Sequence, residues 1–286
     1  MKLLVVILLG IVVCVSAQPF CDPAYTPTEN DVKSKICSLE TRVERLEMST
    51  APMTSCRAAN PQNNGEQTLR INGQQFSAYC HVDPIVNCGP GPWTMVMKVD
   101  GNKKNFNYDS TYWTDDESYN MAGGKTFTDH QETKLPTFWG TEFSRVCVGM
   151  QKPGTSNIQW MRINMNSTRP SLQSVFTGDR LEANIPDKDW RNLLGSTEAT
   201  LQRNCQRSGF NAICERAWGP RARIGIVANN DMDCYSCDSV IGIGIDADYW
   251  QHYSAGNMCD YWCSNLEHTN DMRENFQATM SYVLVA

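Results

Sequence analysis

Cysteine placement constrains this chain more than any other feature. Of thirteen cysteines, Cys14 lies inside an N-terminal apolar stretch, which leaves twelve, an even number. Ten of these fall in the long C-terminal part: Cys56, Cys80, Cys88, Cys147, Cys205, Cys214, Cys234, Cys237, Cys259 and Cys263. In an oxidising compartment they suit bridges within one folded unit, although spacing alone does not give the connectivity. Cys21 and Cys37 precede that unit and are candidates for bridges between chains. Cys234-x-x-Cys237 with Cys259-x-x-x-Cys263 also has the form of a zinc or redox motif. Behind a secretory leader, disulfides are the favoured reading.

That leader is legible. Met1-Lys2 supplies a positive start, Leu3 to Val13 an apolar run, and Val15-Ser16-Ala17 a small-residue cleavage site. A membrane span needs about 20 apolar residues, and this run stops sooner. Residues 1–17 are therefore expected to be a signal peptide on a secreted chain with no membrane span. The formal charge is −6, or −7 once Lys2 is removed, and the pI is about 5.3. Such a balance offers no electrostatic footprint for nucleic acid. The acidic triplet Asp115-Asp116-Glu117 is too short to be a mineral-templating run and reads as a solvated loop or helix N-terminus.

Residues 18–30 form a segment punctuated by Pro19, Pro23 and Pro27. Residues 31–49 then carry Val32, Ile36, Leu39, Val43 and Leu46 at alternating spacings of four and three. In heptad terms Ile36 and Val43 take a, while Val32, Leu39 and Leu46 take d. Lys35 and Arg42 fall at g, Glu40 and Glu47 at e, so a parallel pair brings opposite charges together. The spacing predicts a short coiled-coil stalk leaning towards a dimer; the competing reading is an amphipathic helix packed on its own head. A linker at 50–55 contains Pro52, and residues 56–286 are long enough for one large core.

Within that head, Trp93, Met95, Met97 and Val99 alternate with Thr94, Lys98 and Asp100, with Val96 as the exception. The period of two predicts a half-buried strand ended by the turn Asp100-Gly101-Asn102. Phe106, Tyr108, Tyr112, Trp113 and Tyr119 follow among turn formers and suggest a loop-rich core. Pro186 to Leu194 predicts a short helix capped by Gly195. Phe276, Ala278, Met280, Tyr282 and Leu284 alternate as a C-terminal strand. These elements give an α+β fold class.

Two segments carry candidate chemistry. Asn229, Asp231 and Asp233 offer an amide and two carboxylates, hard oxygen ligands suited to Ca²⁺. Asp246, Asp248, Trp250, Tyr253, Tyr261 and Trp262 interleave acidic and aromatic groups, as a glycan site requires; the alternative is that the aromatics fill the core. Asn166-Ser167-Thr168 is a glycosylation sequon in a polar stretch suited to a surface loop. The histidines His81, His130, His252 and His268 assemble into no catalytic motif, so no enzyme is expected.

Several ordered words resemble a known family. They are Trp93-Thr94 with Val96-Met97-Lys98, the run Phe106 to Thr114, Ser118-Tyr119-Asn120, Glu132 to Leu135, Cys147 to Met150, Leu201 to Cys205, Gly209-Phe210-Asn211, and Arg223 to Ile226. Together they resemble the fibrinogen-C-terminal-related domain in its intelectin-like branch, over about residues 56–284. The resemblance implies a fibrinogen C-terminal-like globular head with a mixed sheet and long disulfide-stapled loops. It further implies a Cys56–Cys80 bridge, a calcium loop at Asp231–Asp233 and an oligomeric lectin. Two departures stand out: Cys237 follows Asp233 closely, and Cys259 is followed by Asp260 where relatives often carry glycine. The leading expectation is a secreted oligomeric recognition protein binding glycans or acetylated groups with Ca²⁺. The rival is a structural component of an extracellular, biomineralised (skeletal organic) matrix, with matrix components as partners.

Overall fold

A computed structural model describes residues 7–8, 11–12, 28–50, 53–195, 199–215, 219–246, 253–259 and 275–286. The chain divides into two compact units, Met1–Ala51 and Pro52–Ala286. Among the described residues no helix is long and apolar enough to cross a membrane.

In the first unit, the short strands β1 (Ile7–Leu8) and β2 (Ile11–Val12) pair antiparallel. Helix α1 (Glu29–Thr50) follows. Thr28 starts it through a reciprocal cap: Asp31 N–H donates to Thr28 Oγ1 at 3.2 Å, and Thr28 N–H to Asp31 Oδ2 at 3.1 Å. The helix thus begins two residues before the heptad pattern does.

The second unit opens with α2 (Cys56–Ala59), whose N-cap Ser55 accepts from Ala58 N–H. Strands β3 (Gly65–Ile71), β4 (Gln74–His81), β5 (Trp93–Asp100) and β6 (Thr133–Lys134) come next, then α3 (Thr137–Gly140). The first sheet continues with β7 (Phe143–Gln151) and β8 (Ile158–Arg169). After α4 (Leu172–Phe176), β9 (Leu181–Glu182) and α5 (Asp187–Asn192), the chain builds β10 (Asn204–Ile213), β11 (Arg221–Asn229), β12 (Ser239–Asp246), β13 (Ala255–Cys259) and β14 (Asn275–Ala278). Strand β15 (Met280–Val285) then returns to the first sheet. The first sheet has the order β3-β4-β5-β15-β7-β8, with β6 on β5; the second has the order β14-β13-β12-β11-β10-β9.

Every described pairing in both sheets is antiparallel, which corrects the expected mixed sheet. Parallel neighbours need a long crossover, usually a helix. The longest described helix of this unit, α5, has six residues. What remains of the expected class is an α+β fold of two antiparallel sheets with several disulfides.

The two sheets share one core. Val148, Met150 and Val283 of the first sheet pack in a cluster with Phe210, Ile224, Ile226 and Ile243 of the second, closed by Trp190, Leu193 and Leu194 around α5. Helix α5 sits where the sequence places it, and Gly195 after it adopts φ +77°. Phe106 and Trp113 are wholly buried in the same cluster, with Tyr112 and Tyr119 packed against it.

Two strand expectations change. Strand β5 is buried on both faces, not half-buried, and Thr94 and Lys98 are buried with it. Its register against β15 skips Val96: Met97 faces Val283, whereas Met95 faces Leu284. A bulge of one residue reverses the side-chain phase. Trp93 and Met95 therefore enter one cluster, while Met97 and Val99 enter the other. The C-terminal alternation is likewise not one strand. It breaks at Thr279, where the chain leaves the second sheet for the first.

The disulfides are Cys56–Cys80, Cys88–Cys147, Cys205–Cys234 and Cys214–Cys237. Cys259 is also disulfide-bonded. Because Cys234 and Cys237 have separate partners, the C-x-x-C motif is neither a redox pair nor a zinc clasp. Cys21 and Cys263 lie outside the described residues. Bridges closing loops of this size each contribute about 3–4 kcal/mol by restricting the unfolded chain.

Candidate functional site

The candidate calcium residues occupy the turn between β11 and β12. Asn229 ends β11 and is buried, and its side chain organises the turn. Its Nδ2 donates to Asp231 Oδ1 at 3.1 Å and to the Asp233 carbonyl at 2.5 Å. Asp233 N–H donates to Asp231 Oδ1 at 2.8 Å, and Tyr235 N–H to Asp233 Oδ1 at 3.0 Å. Asx turns of this kind fold a polar loop without help from a ligand. The Cys205–Cys234 and Cys214–Cys237 bridges tie the turn to β10 and its end. Among the described residues no three His, Cys, Asp or Glu side chains form a metal-sized cluster. The donor chemistry here is two carboxylates, enough for a weak, water-completed site but not for an oxygen cage.

The second set is spread out. Asp246 ends β12 and is 8% exposed. Arg221 NH2 donates to Asp246 Oδ2 at 2.7 Å and also meets Asp109, while the guanidinium lies 4.7 Å from the Tyr108 ring centroid. Arg221 on β11 therefore links Asp246 at the end of β12 to Asp109 in the loop after β5, a use that burial and charge pairing explain. Tyr253 lies elsewhere: its ring stacks on Phe276 with centroids 3.5 Å apart and planes 18° from parallel. Asp248, Trp250, Tyr261 and Trp262 lie outside the described residues.

Tyr253 and Phe276 line an open cleft of about 490 Å³, with Asn102, Lys152, Thr155 and Gln277. An aromatic stack bordered by amide, hydroxyl and ammonium groups presents an apolar face beside hydrogen-bonding groups. No family model matches the chain, and no curated protein matches it. The reading of this cleft rests on its own chemistry. Sequence reasoning found Tyr253 but missed its companions. In the sequence Phe276 reads as part of a regular strand and Asn102 as part of a turn, while Thr155 belongs to no motif. Only the tertiary fold joins these four distant segments. A second cleft, of about 360 Å³, runs between Thr54, Arg57, Phe143, Thr168 and Ala286 and includes no candidate ligand residue.

Buried charge in the first sheet is structural. Lys98 is wholly buried, donates to the Thr126 carbonyl at 2.9 Å and pairs with Asp129. Lys134 Nζ sits 2.6 Å from Asp115 Oδ1 and 4.7 Å from the Phe138 ring centroid. Burial pushes both ammonium pKa values down, against the pull of their carboxylate partners. Asp115 thus holds a buried lysine, which corrects the fully solvated reading of the acidic triplet; Asp116 and Glu117 are exposed. Burial likewise pushes the Glu132 carboxyl up, although Asn105 donates to it at 2.7 Å.

The sequon lies in β8, not in a loop. That strand is an edge of the first sheet. Its register against β7 jumps from Asn164–Arg145 to Arg169–Phe143, so residues 165–168 bulge off the ladder. Asn166, Ser167 and Thr168 are all exposed there. In the first unit, Cys37 is exposed and unbonded.

Proposed function

We propose that the head is a secreted recognition module of the fibrinogen-related type, binding glycans or acetylated surface groups without chemical turnover. The observation that carries this reading is the Tyr253–Phe276 stack at the cleft bordered by Asn102, Thr155 and Lys152. Sugars lay their C–H faces on aromatic rings and offer hydroxyls to amides and hydroxyls alongside. The cleft volume falls in the usual range for small-ligand sites, about 300–1,000 Å³. The disulfide frame supports the secreted reading, since such bonds persist in oxidising compartments.

Asp231 and Asp233 are the residues proposed to hold Ca²⁺, which would supply a fixed positive charge at the turn. With two carboxylates and water, affinity belongs to the weak, extracellular range. The direct test is a glycan array probed with the secreted protein, with and without chelator. Binding of a defined sugar class supports the reading; no sugar bound in either condition sinks it.

One observation favours the rival, a structural role in an extracellular mineralised matrix. Met232 is 87% exposed and Tyr235 50% exposed on the disulfide-anchored turn. Exposed apolar groups suit contact with a protein partner. Recovery of the protein from demineralised matrix would support that role, and its confinement to soluble secretions would count against it.

A further inference from the structure

Two arginines meet on the face of the first sheet that turns away from the second sheet. Arg145 and Cys147 lie two residues apart on β7, and Cys147 stands opposite Arg162 of β8 in the ladder, so both arginines share that face. The Cys88–Cys147 bridge draws the loop after β4 across it. Both guanidinium groups are held on that loop. Arg162 Nη1 donates to the Cys88 carbonyl at 3.2 Å, and Arg145 Nη1 to the Pro90 carbonyl at 3.0 Å. Arg145 also lies over the buried Trp93, its Cζ 4.8 Å from the ring centroid. Gly89 between the two carbonyls permits this approach, because a Cβ there would stand 3.1 Å from Arg162 Nη1.

Arg57 of α2 completes the cluster. Burial first, then the like charges of Arg57 and Arg162, hold the Arg145 pKa below its usual value. Among the described residues no carboxylate forms an ion pair with any of the three. That includes Glu142, an exposed carboxylate that borders the second cleft together with Arg57. Elsewhere Arg180, Arg191, Arg207 and Arg221 each pair with Asp or Glu. In a chain of formal charge −6, three uncompensated arginines are a local exception. Like charges held together repel, and an incoming anion removes that repulsion.

A guanidinium carries its N–H donors in a planar fork. The described hydrogen bonds use one donor of Arg145 and one of Arg162. The other donors suit sulfate or carboxylate oxygens, which arginine takes two at a time. We propose that Arg57, Arg145 and Arg162 form a binding face for an anionic polysaccharide, whose sulfate or carboxylate groups they neutralise. The surroundings favour a sugar chain over an acidic protein. Thr54, Ser55, Thr94, Ser144 and Thr168 border the cleft of about 360 Å³ beside Arg57, and hydroxyls of this kind match those of a sugar. The exposed large apolar group on the loop is Val86; among the described residues no exposed aromatic stands there to anchor a protein partner. The face shares no residue with the Tyr253 cleft and does not depend on what that cleft binds.

The test titrates the full secreted chain with dextran sulfate, polygalacturonate, uncharged dextran and polyglutamate at low ionic strength, where screening is weak. Binding to dextran sulfate or polygalacturonate, lost on adding salt and absent with dextran, is expected. Binding to the first alone specifies sulfate, and to the second alone carboxylate. Arg57→Gln/Arg162→Gln alters two exposed side chains and should weaken that binding at least about tenfold. Arg180→Gln/Lys188→Gln makes the same change in net charge outside the face and should bind as wild type does. Unfolding midpoints confirm that both variants are folded. Equal losses in the two variants, no binding of wild type to either anionic polysaccharide, or polyglutamate bound as tightly as they are, overturns the proposal.

Discussion

Gly101 donates its N–H to the Thr279 carbonyl at 2.8 Å, at the point where the chain passes from one sheet to the other. The approach leaves no room for a side chain: a Cβ on Gly101 would stand 2.0 Å from the Ala255 carbonyl oxygen and 2.8 Å from the Thr279 nitrogen. Both obstacles are backbone, so they cannot swing aside. Gly101→Ala is expected to cost more than about 3 kcal/mol. Gly178→Ala, whose Cβ would meet nothing nearer than 3.8 Å, should stay within about 0.5 kcal/mol of wild type. Urea midpoints of the secreted variants make the comparison, and equal midpoints for the two would refute the packing argument.

The Lys134–Asp115 pair gives a second expectation. Lys134 is wholly buried, so removing its carboxylate leaves a buried ammonium without its counter-charge. Asp115→Ala should cost about 3 kcal/mol, and Lys134→Met clearly less, because the methionine suits the surrounding Tyr112, Phe138 and Trp139 rings. Thermal unfolding of both variants checks the order, and the reverse order would show that the charge itself is needed.

His81 predicts a pH dependence. Its Nδ1 is buried with no hydrogen-bond partner among the described residues, and its ring lies beside Tyr79 and Phe127. Burial pushes its pKa below 6.5, only partly offset by Asp83. With the folded value depressed, the unfolded chain binds more protons below pH 6.5. Stability contributed by the neutral ring is present above that pH and is lost as pH falls through the window down to the folded value. A denaturation series from pH 7.5 to about 5 should therefore show a steeper loss for wild type than for His81→Phe. Parallel profiles would remove His81 from the account.

The bulge at residues 165–168 makes Asn166 accessible on an edge strand. In cells that glycosylate, wild type should migrate as a heavier species than Asn166→Gln, and glycosidase should collapse the difference. A glycan there would also shield the edge against strand pairing. Identical mobility of the two proteins contradicts occupancy.

These sites differ in how far the sequence reveals them. Helix α5 is a local object: Pro186 before it, Gly195 after it and Trp190, Leu193 and Leu194 on one face are all within ten residues. The β5 bulge left a trace, since Val96 is the residue that breaks the alternation. Its consequence did not show, because the partner that imposes the register is β15, at the other end of the chain. The break at Thr279 left no trace in an alternating segment that changes sheets midway. Asp246 shows the same limit. Its acidic–aromatic setting suggests a ligand, but the deciding neighbour, Arg221, is 25 residues away, and the second carboxylate on that arginine, Asp109, is more distant still. The cleft beside Tyr253 is the extreme case, assembled from four segments with no common motif.

The stacked Tyr253 carries the recognition claim, so its removal is the decisive measurement. Wild-type, Tyr253→Ala and Phe276→Ala proteins should be titrated with the sugar that the wild type selects on an array. Gln75→Ala, at an exposed position of β4 that does not line the cleft, serves as a control, and the unfolding midpoint of each protein confirms that it is folded. The account predicts that Tyr253→Ala and Phe276→Ala each weaken binding at least about tenfold while the control matches wild type. Undiminished affinity in a folded Tyr253→Ala protein would contradict it.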